Sequence, residues 1–214
     1  MNMRKKKLVT VCVVLAASMV LSASAQTNVY DNTLIGNYKG RFVPLPSGKV
    51  EFGDEITLGA GPRTLSALKI EVYSVGLGGG ETATVNLYRN DGTYLSPNFV
   101  PLGSGTDLIG NGFTTLTYTD PALTLPNTLI WTVSFSGVAG SEQAGLPVYN
   151  PPTVGSSFND FWTKDGSGTW TLFNPSQYVG NFAARVTAVP EAGTIAYGLL
   201  GGMMVVGYLR LRRK

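Results

Sequence analysis

Leu68-Lys69-Ile70-Glu71-Val72-Tyr73 decides the fold. Apolar Leu68, Ile70 and Val72 alternate with Lys69, Glu71 and Tyr73, the period-two pattern of a strand with one buried face and one wet face. The alternation recurs outward along the chain. Val85 and Leu87 alternate with Thr84, Asn86 and Tyr88, and Trp131, Val133 and Phe135 alternate with Thr132 and Ser134. Leu116 and Tyr118 sit between threonines, Trp170 and Leu172 share a face, and Phe182, Ala184 and Val186 close the series. Turn signals separate these runs: Gly78-Gly79-Gly80, Asn90-Asp91-Gly92, Gly103-Ser104-Gly105 and Lys164-Asp165-Gly166-Ser167-Gly168. Gly145 to Pro152 reads as an extended loop, because prolines at 147, 151 and 152 oppose a central strand. About eight short strands at such spacings predict an all-β fold, an antiparallel two-sheet sandwich of jelly-roll-like form, over residues 26–188.

Composition removes much chemistry. The 214 residues contain no histidine and a single cysteine, Cys12. A Ser-His-Asp triad, a His-ligated zinc or haem, an intrachain disulfide and thiolate clusters are therefore excluded. Charged residues are only 14% and glycines number 27. The formal charge of +3 comes from the ends. Between Gln26 and Val189 there are eight Lys or Arg against twelve Asp or Glu, a net −4. A nucleic-acid partner has no electrostatic support.

The two ends read as addresses. Arg4 to Lys7 precede an apolar run from Leu8 to Leu21, and Ala23-Ser24-Ala25 supplies a small-x-small cleavage site. This predicts a signal peptide over residues 1–25, with signal peptidase leaving Gln26 as the new N-terminus. No cysteine follows the small residues, so a lipoprotein signal is not expected. At the other end, Val189-Pro190-Glu191-Ala192 leads into an uncharged stretch to Leu209, followed by the basic tail Arg210, Leu211, Arg212, Arg213 and Lys214. From Ala192 the stretch counts eighteen residues, about 27 Å as a helix. It predicts a membrane helix over 192–209, with the cations left on the cytoplasmic side and the body outside.

This three-part tail, residues 189–214, resembles the PEP-CTERM sorting signal of exosortase systems in Gram-negative bacteria. The matching features are Val189-Pro190-Glu191, the glycine-rich apolar helix and the arginine-rich end. Ala192 stands where the family has a second proline. The resemblance implies an exported precursor anchored in the inner membrane and facing the periplasm. An exosortase would cut it near Val189, Pro190, Glu191 and Ala192 and pass it to the cell surface or exopolysaccharide matrix. In physical terms Pro190 fixes its own φ and biases Val189 towards an extended conformation, as a peptidase groove requires. The segments from Val29-Tyr30-Asp31-Asn32 to Leu129-Ile130-Trp131-Thr132-Val133 are also similar to a β-sandwich module of exported, anchored bacterial proteins.

Within the body the expected function is display at the cell surface or in the matrix, without enzymatic activity and without cofactor or metal. A carbohydrate-binding module is the alternative, with Trp162 and Tyr149 as the loop aromatics able to stack on sugar faces. A glycoside hydrolase would need two converging carboxylates. Asp54 and Glu55 are adjacent and would point apart on a strand, while Asp160 and Asp165 flank Phe161-Trp162. Gly53-Asp54-Glu55 and Asn90-Asp91-Gly92-Thr93 carry oxygen ligands but lack EF-hand spacing. Trp131 and Trp170 are expected in the core.

Overall fold

Residues 25–93, 95–174 and 180–191 of this computed structural model are described. Ala23, Ala192, the expected helix 192–209 and the basic tail lie outside them, as does the signal segment before Ala25. The chain divides into two units, and Thr27–Ala188 contains both sheets but for Val189, the last residue of β13. Of the other unit only residues 25–26 and 189–191 are described.

Every β-ladder between the named strands is antiparallel, in two sheets. Sheet A holds β1 (Thr27–Asp31), β2 (Tyr38–Pro44), β4 (Thr64–Val75), β7 (Gly112–Tyr118), β9 (Gln143–Tyr149) and β13 (Ala184–Val189). Its order is β1-β13-β4-β9-β2, with β7 also paired to β4. Sheet B holds β3 (Lys49–Thr57), β5 (Thr82–Asn90), β6 (Phe99–Leu108), β8 (Thr128–Ser136), β10 (Ser156–Ser157), β11 (Phe161–Asp165) and β12 (Trp170–Phe173). Its order is β12-β11-β3-β8-β5-β6, with β10 also paired to β3. Successive strands repeatedly cross from one sheet to the other. A single 3-10 turn, Ile35–Asn37, is the one helical element among the described residues.

The alternation read from the sequence sets which side chains go inside. Leu68, Ile70 and Val72 from β4 are buried against Phe52, Leu87, Trp131 and Val133 from sheet B. Phe182, Ala184 and Val186 are fully buried as well. Phe52, Phe161 and Phe182 meet edge to face with centroids 5.5–6.1 Å apart. Such packing contributes about 0.5–1.5 kcal/mol per pair beyond area burial.

Two expectations are corrected. Gly103-Ser104-Gly105 does not separate strands; it lies inside β6. Its glycines make room for Tyr118, whose hydroxyl occupies the place a Cβ at Gly103 would take. Gln143–Tyr149 is a strand despite Pro147. The β4 ladder ends at Gly145, and pairing on that side resumes where Tyr149 N donates to Asn181 O. Pro147 falls in the gap, where no amide donor is required.

Candidate functional site

The inner faces of both sheets are filled, so any ligand must meet an outer face or a loop. The outer faces differ in how their aromatic residues are covered.

On sheet B, Tyr88, Ile130 and Trp162 form a small second core, packed with Phe99, Trp170 and Leu172. Trp162 stands 4.9 Å from Phe99, and Phe99 4.6 Å from Trp170, both pairs edge to face. The Lys164 ammonium caps the assembly, 5.1 Å from the Trp170 ring centre and 5.9 Å from that of Tyr88. Polar groups are tied in beneath. Trp162 Nε1 donates to Glu55 Oε2 at 3.0 Å, and the Tyr88 hydroxyl donates to Glu51 Oε1 at 2.8 Å. Thr132 Oγ1 donates to the same Glu51 oxygen, and Lys164 Nζ lies 3.4 Å from Oε2. Burial, and then its bond to Glu51, push the Tyr88 phenol well above its ordinary range. Beyond Glu55 opens a cleft of about 330 Å³ lined by Glu55, Arg89, Asn90, Asp91, Pro126 and Thr128. Its Arg89 and Asp91 pair with each other at 3.0 Å. Asn90 Oδ1 accepts from Gly92 N and Asn98 N, so this side chain holds its own turn.

On sheet A, the β4 register places Lys69, Glu71 and Tyr73 opposite Thr117, Thr115 and Phe113. From β2, Tyr38 lies opposite Tyr149 and Phe42 opposite Pro147. Between these pairs three residues of β2, Lys39 to Arg41, stand against the single Val148 of β9, a bulge whose residues are exposed. The rings form a chain: Phe42 to Tyr73 at 5.0 Å, Tyr73 to Phe113 at 4.9 Å, Phe113 to Tyr38 at 5.3 Å and Tyr38 to Tyr149 at 5.6 Å. Tyr149 is buried at the base, and its hydroxyl donates to Glu71 Oε2 at 2.6 Å. Burial, then Glu71, push its phenol well up. Burial, then the neighbouring Tyr73, raise Tyr38. Of the other four rings, Phe113 is 52% exposed, and Tyr38, Phe42 and Tyr73 are half-buried.

Trp162 and Tyr149, expected on loops, both lie in strands and are buried, on opposite sheets. Their ring faces are taken up by protein neighbours. Trp131 is in the main core as expected, and Trp170 is half-buried in the outer cluster. Asp54 and Glu55 do point apart. Asp54 is fully buried, accepts from Ser157 Oγ at 2.9 Å, and is driven well above the usual carboxyl range by burial, with Asp160 adding to it. Asp165 is held below that range by Ser167 Oγ at 2.6 Å and the Thr169 amide, which fold the β11–β12 turn. Among the described residues no group of three or more acidic side chains is arranged to hold a metal ion.

Of the address residues, Ala25, Gln26, Val189, Pro190 and Glu191 are described. Ala25 and Gln26 are exposed ahead of β1. Val189 ends β13, Pro190 is half-buried and Glu191 is exposed. Thr27 and Ala188 are register partners. Among the described residues no helix is long and apolar enough to cross a membrane.

Sequence reasoning missed the sheet A face. Its rings come from four strands, and alternation marked only Tyr73 as an outward residue, with Phe113 not singled out.

No family model matches the chain, and no curated protein matches it significantly. Among solved structures it is distantly similar to chains titled "Structure of infectious bursal disease virus Gt strain" and "Structure of infectious bursal disease virus Gx strain". The first is 12% identical with a TM-score of 0.26, covering 79% of this chain and 38% of the viral one. The second is 13% identical with a TM-score of 0.25, covering 79% and 36%. The chain thus spans well under half the length of those viral proteins, and the likeness is too loose to carry an argument.

Proposed function

We propose that this protein is an exported, non-enzymatic surface or matrix protein, made as a membrane-anchored precursor and processed by an exosortase. The observation that carries the reading is the pairing of Thr27 with Ala188. The chain enters and leaves the sandwich as neighbours on one pair of strands, and among the described residues every buried core side chain lies from Val29 to Ala188. Signal peptidase at Ala25 and exosortase near Pro190-Glu191 would therefore each cut outside the sheets. Neither cut removes a core side chain, so the displayed body keeps its packing. The repeated crossing of successive strands between sheets supports a jelly-roll-like topology. Helices at both ends belong to the same proposal: a cleaved signal helix and a membrane helix over 192–209, retained by Arg210, Arg212, Arg213 and Lys214.

Intact mass of the protein recovered from wild-type cells and from cells lacking their exosortase tests the processing. The expected wild-type product begins at Gln26 and ends between Val189 and Gly193, while the mutant retains Lys214. A basic tail kept in the membrane fraction of both strains would overturn it.

A further inference from the structure

We infer that the outer face of sheet A is a docking site for an acidic polysaccharide. The inference goes beyond the sorting route and does not depend on it. Three observations on this face combine. First, the rings of Tyr38, Phe42, Tyr73 and Phe113 form a continuous chain that is half-buried to 52% exposed, whereas on sheet B Lys164 stands over Tyr88 and Trp170. Exposed contiguous aromatics on a soluble face mark interaction surfaces. Second, the patch is not purely apolar. It carries tyrosine hydroxyls and the Glu71 carboxylate, groups that hydrogen-bond the hydroxyls of a pyranose while the rings meet its C–H faces.

Third, the charge is opposite in sign to that of the body. The strands of sheet A carry Lys39, Arg41, Lys69 and Arg185 against Asp31 and Glu71. Arg185 and Asp31 pair with each other at 3.0 Å. Lys39, Arg41 and Lys69 are exposed. The strands of sheet B instead carry Lys49, Arg89 and Lys164 against Glu51, Asp54, Glu55, Asp107 and Asp165. A basic aromatic face on a body of net −4 selects an anionic partner. The rings favour a sugar over stacked bases. Neighbours are tilted by 53–83°, so they offer short facets in place of a parallel ladder.

Native electrophoresis of the full chain in non-ionic detergent, through gels containing alginate, tests the site. Alginate is a polyuronate. The same gels containing dextran, polyacrylate or single-stranded DNA separate the contributions of ring, charge and nucleic acid. Wild type should be retarded by alginate more strongly than by the other three polymers. The Tyr73→Ala/Phe113→Ala variant should lose about tenfold in apparent affinity, the size of one good ring contact. Lys69→Gln should weaken alginate binding, and Arg89→Gln, which removes a cation from sheet B, should not. Phe113→Ser keeps the test open if the double variant fails to fold, since Phe113 is half exposed. Absence of retardation by alginate overturns the inference, as does a Phe113→Ser protein that binds alginate like wild type. Equal retardation by polyacrylate or by DNA also overturns it, pointing to charge alone or to a nucleic-acid partner.

Discussion

Both outer faces of the sandwich carry aromatic residues at outward positions, with Trp162 or Tyr149 buried at the base, yet sheet B caps its rings with a cation while sheet A leaves Phe113 52% exposed. On sheet B the β11–β12 hairpin brings Trp162, Trp170 and Lys164 beside Tyr88 and Phe99, and each ring is used by another side chain. On sheet A the bulge in β2 leaves Lys39 to Arg41 exposed, and Phe113 is left half in solvent. The difference shows that an outward aromatic in an alternating strand has two fates. Where a cation and carboxylates lock the rings in, as Lys164, Glu51 and Glu55 do on sheet B, they become part of a second core and contribute to stability. Where the rings meet chiefly one another, as on sheet A, they stay half-exposed and available to a ligand. Substitutions on the two faces should therefore separate stability from binding.

The largest effect is expected at Trp162→Ala. Its ring is 1% exposed and its Nε1 bonds Glu55, so truncation should cost about 3–5 kcal/mol in denaturant unfolding. A cost below about 1 kcal/mol would mean that the sheet B face is not a true second core. Next is Lys164→Met, which leaves the buried Glu51 carboxylate without its cation and uncaps two rings. The expected cost is about 1–3 kcal/mol. Phe113→Ser, on sheet A, should change stability by no more than about 0.5 kcal/mol. A large loss there would show that the sheet A rings are structural after all.

Two acids sharpen the comparison through pH. The Asp54 carboxyl titrates above its unfolded value near 3.9. The native state therefore holds a proton that the unfolded chain gives up. Its contribution is fully present below about pH 4 and is lost as pH rises through the folded value. An amide at this position is neutral throughout, so Asp54→Asn should gain on wild type as pH is raised from 4 to 8. Parallel stability curves would mean that Ser157 and the backbone donors keep the carboxylate ionised. Asp165 has the opposite sign and the smallest effect. Its lowered value means that its contribution is present above the ordinary carboxyl range and lost as pH falls. The deficit of Asp165→Asn, read from thermal melts, should shrink below about pH 4.

The strands were legible where period two was clean. Leu68, Ile70 and Val72 face the core, and Lys69, Glu71 and Tyr73 face out, as alternation requires. Legibility failed where a local rule met a neighbour from far along the chain. Gly103 and Gly105 look like a turn because glycine is common in turns, but here the missing side chains accommodate Tyr118. Pro147 looks like a strand breaker, but its missing amide faces a gap between two ladders. Trp162 and Tyr149 look like loop aromatics because glycine, proline, asparagine and aspartate surround them in sequence. In space both have strand partners, Gly53 for Trp162 and Tyr38 for Tyr149.

The alternation that divides inside from outside, the absence of histidine and cysteine from the body, and the acidic charge of that body are all legible without a fold. These are properties of single residues and their near neighbours, so no folding is needed to read them. Which outward aromatics are buried or capped, and where the chain enters and leaves the sheets, follow from packing in three dimensions. Coverage depends on strands that are distant in sequence and adjacent in space, such as Phe42 beside Tyr73 and Thr27 beside Ala188.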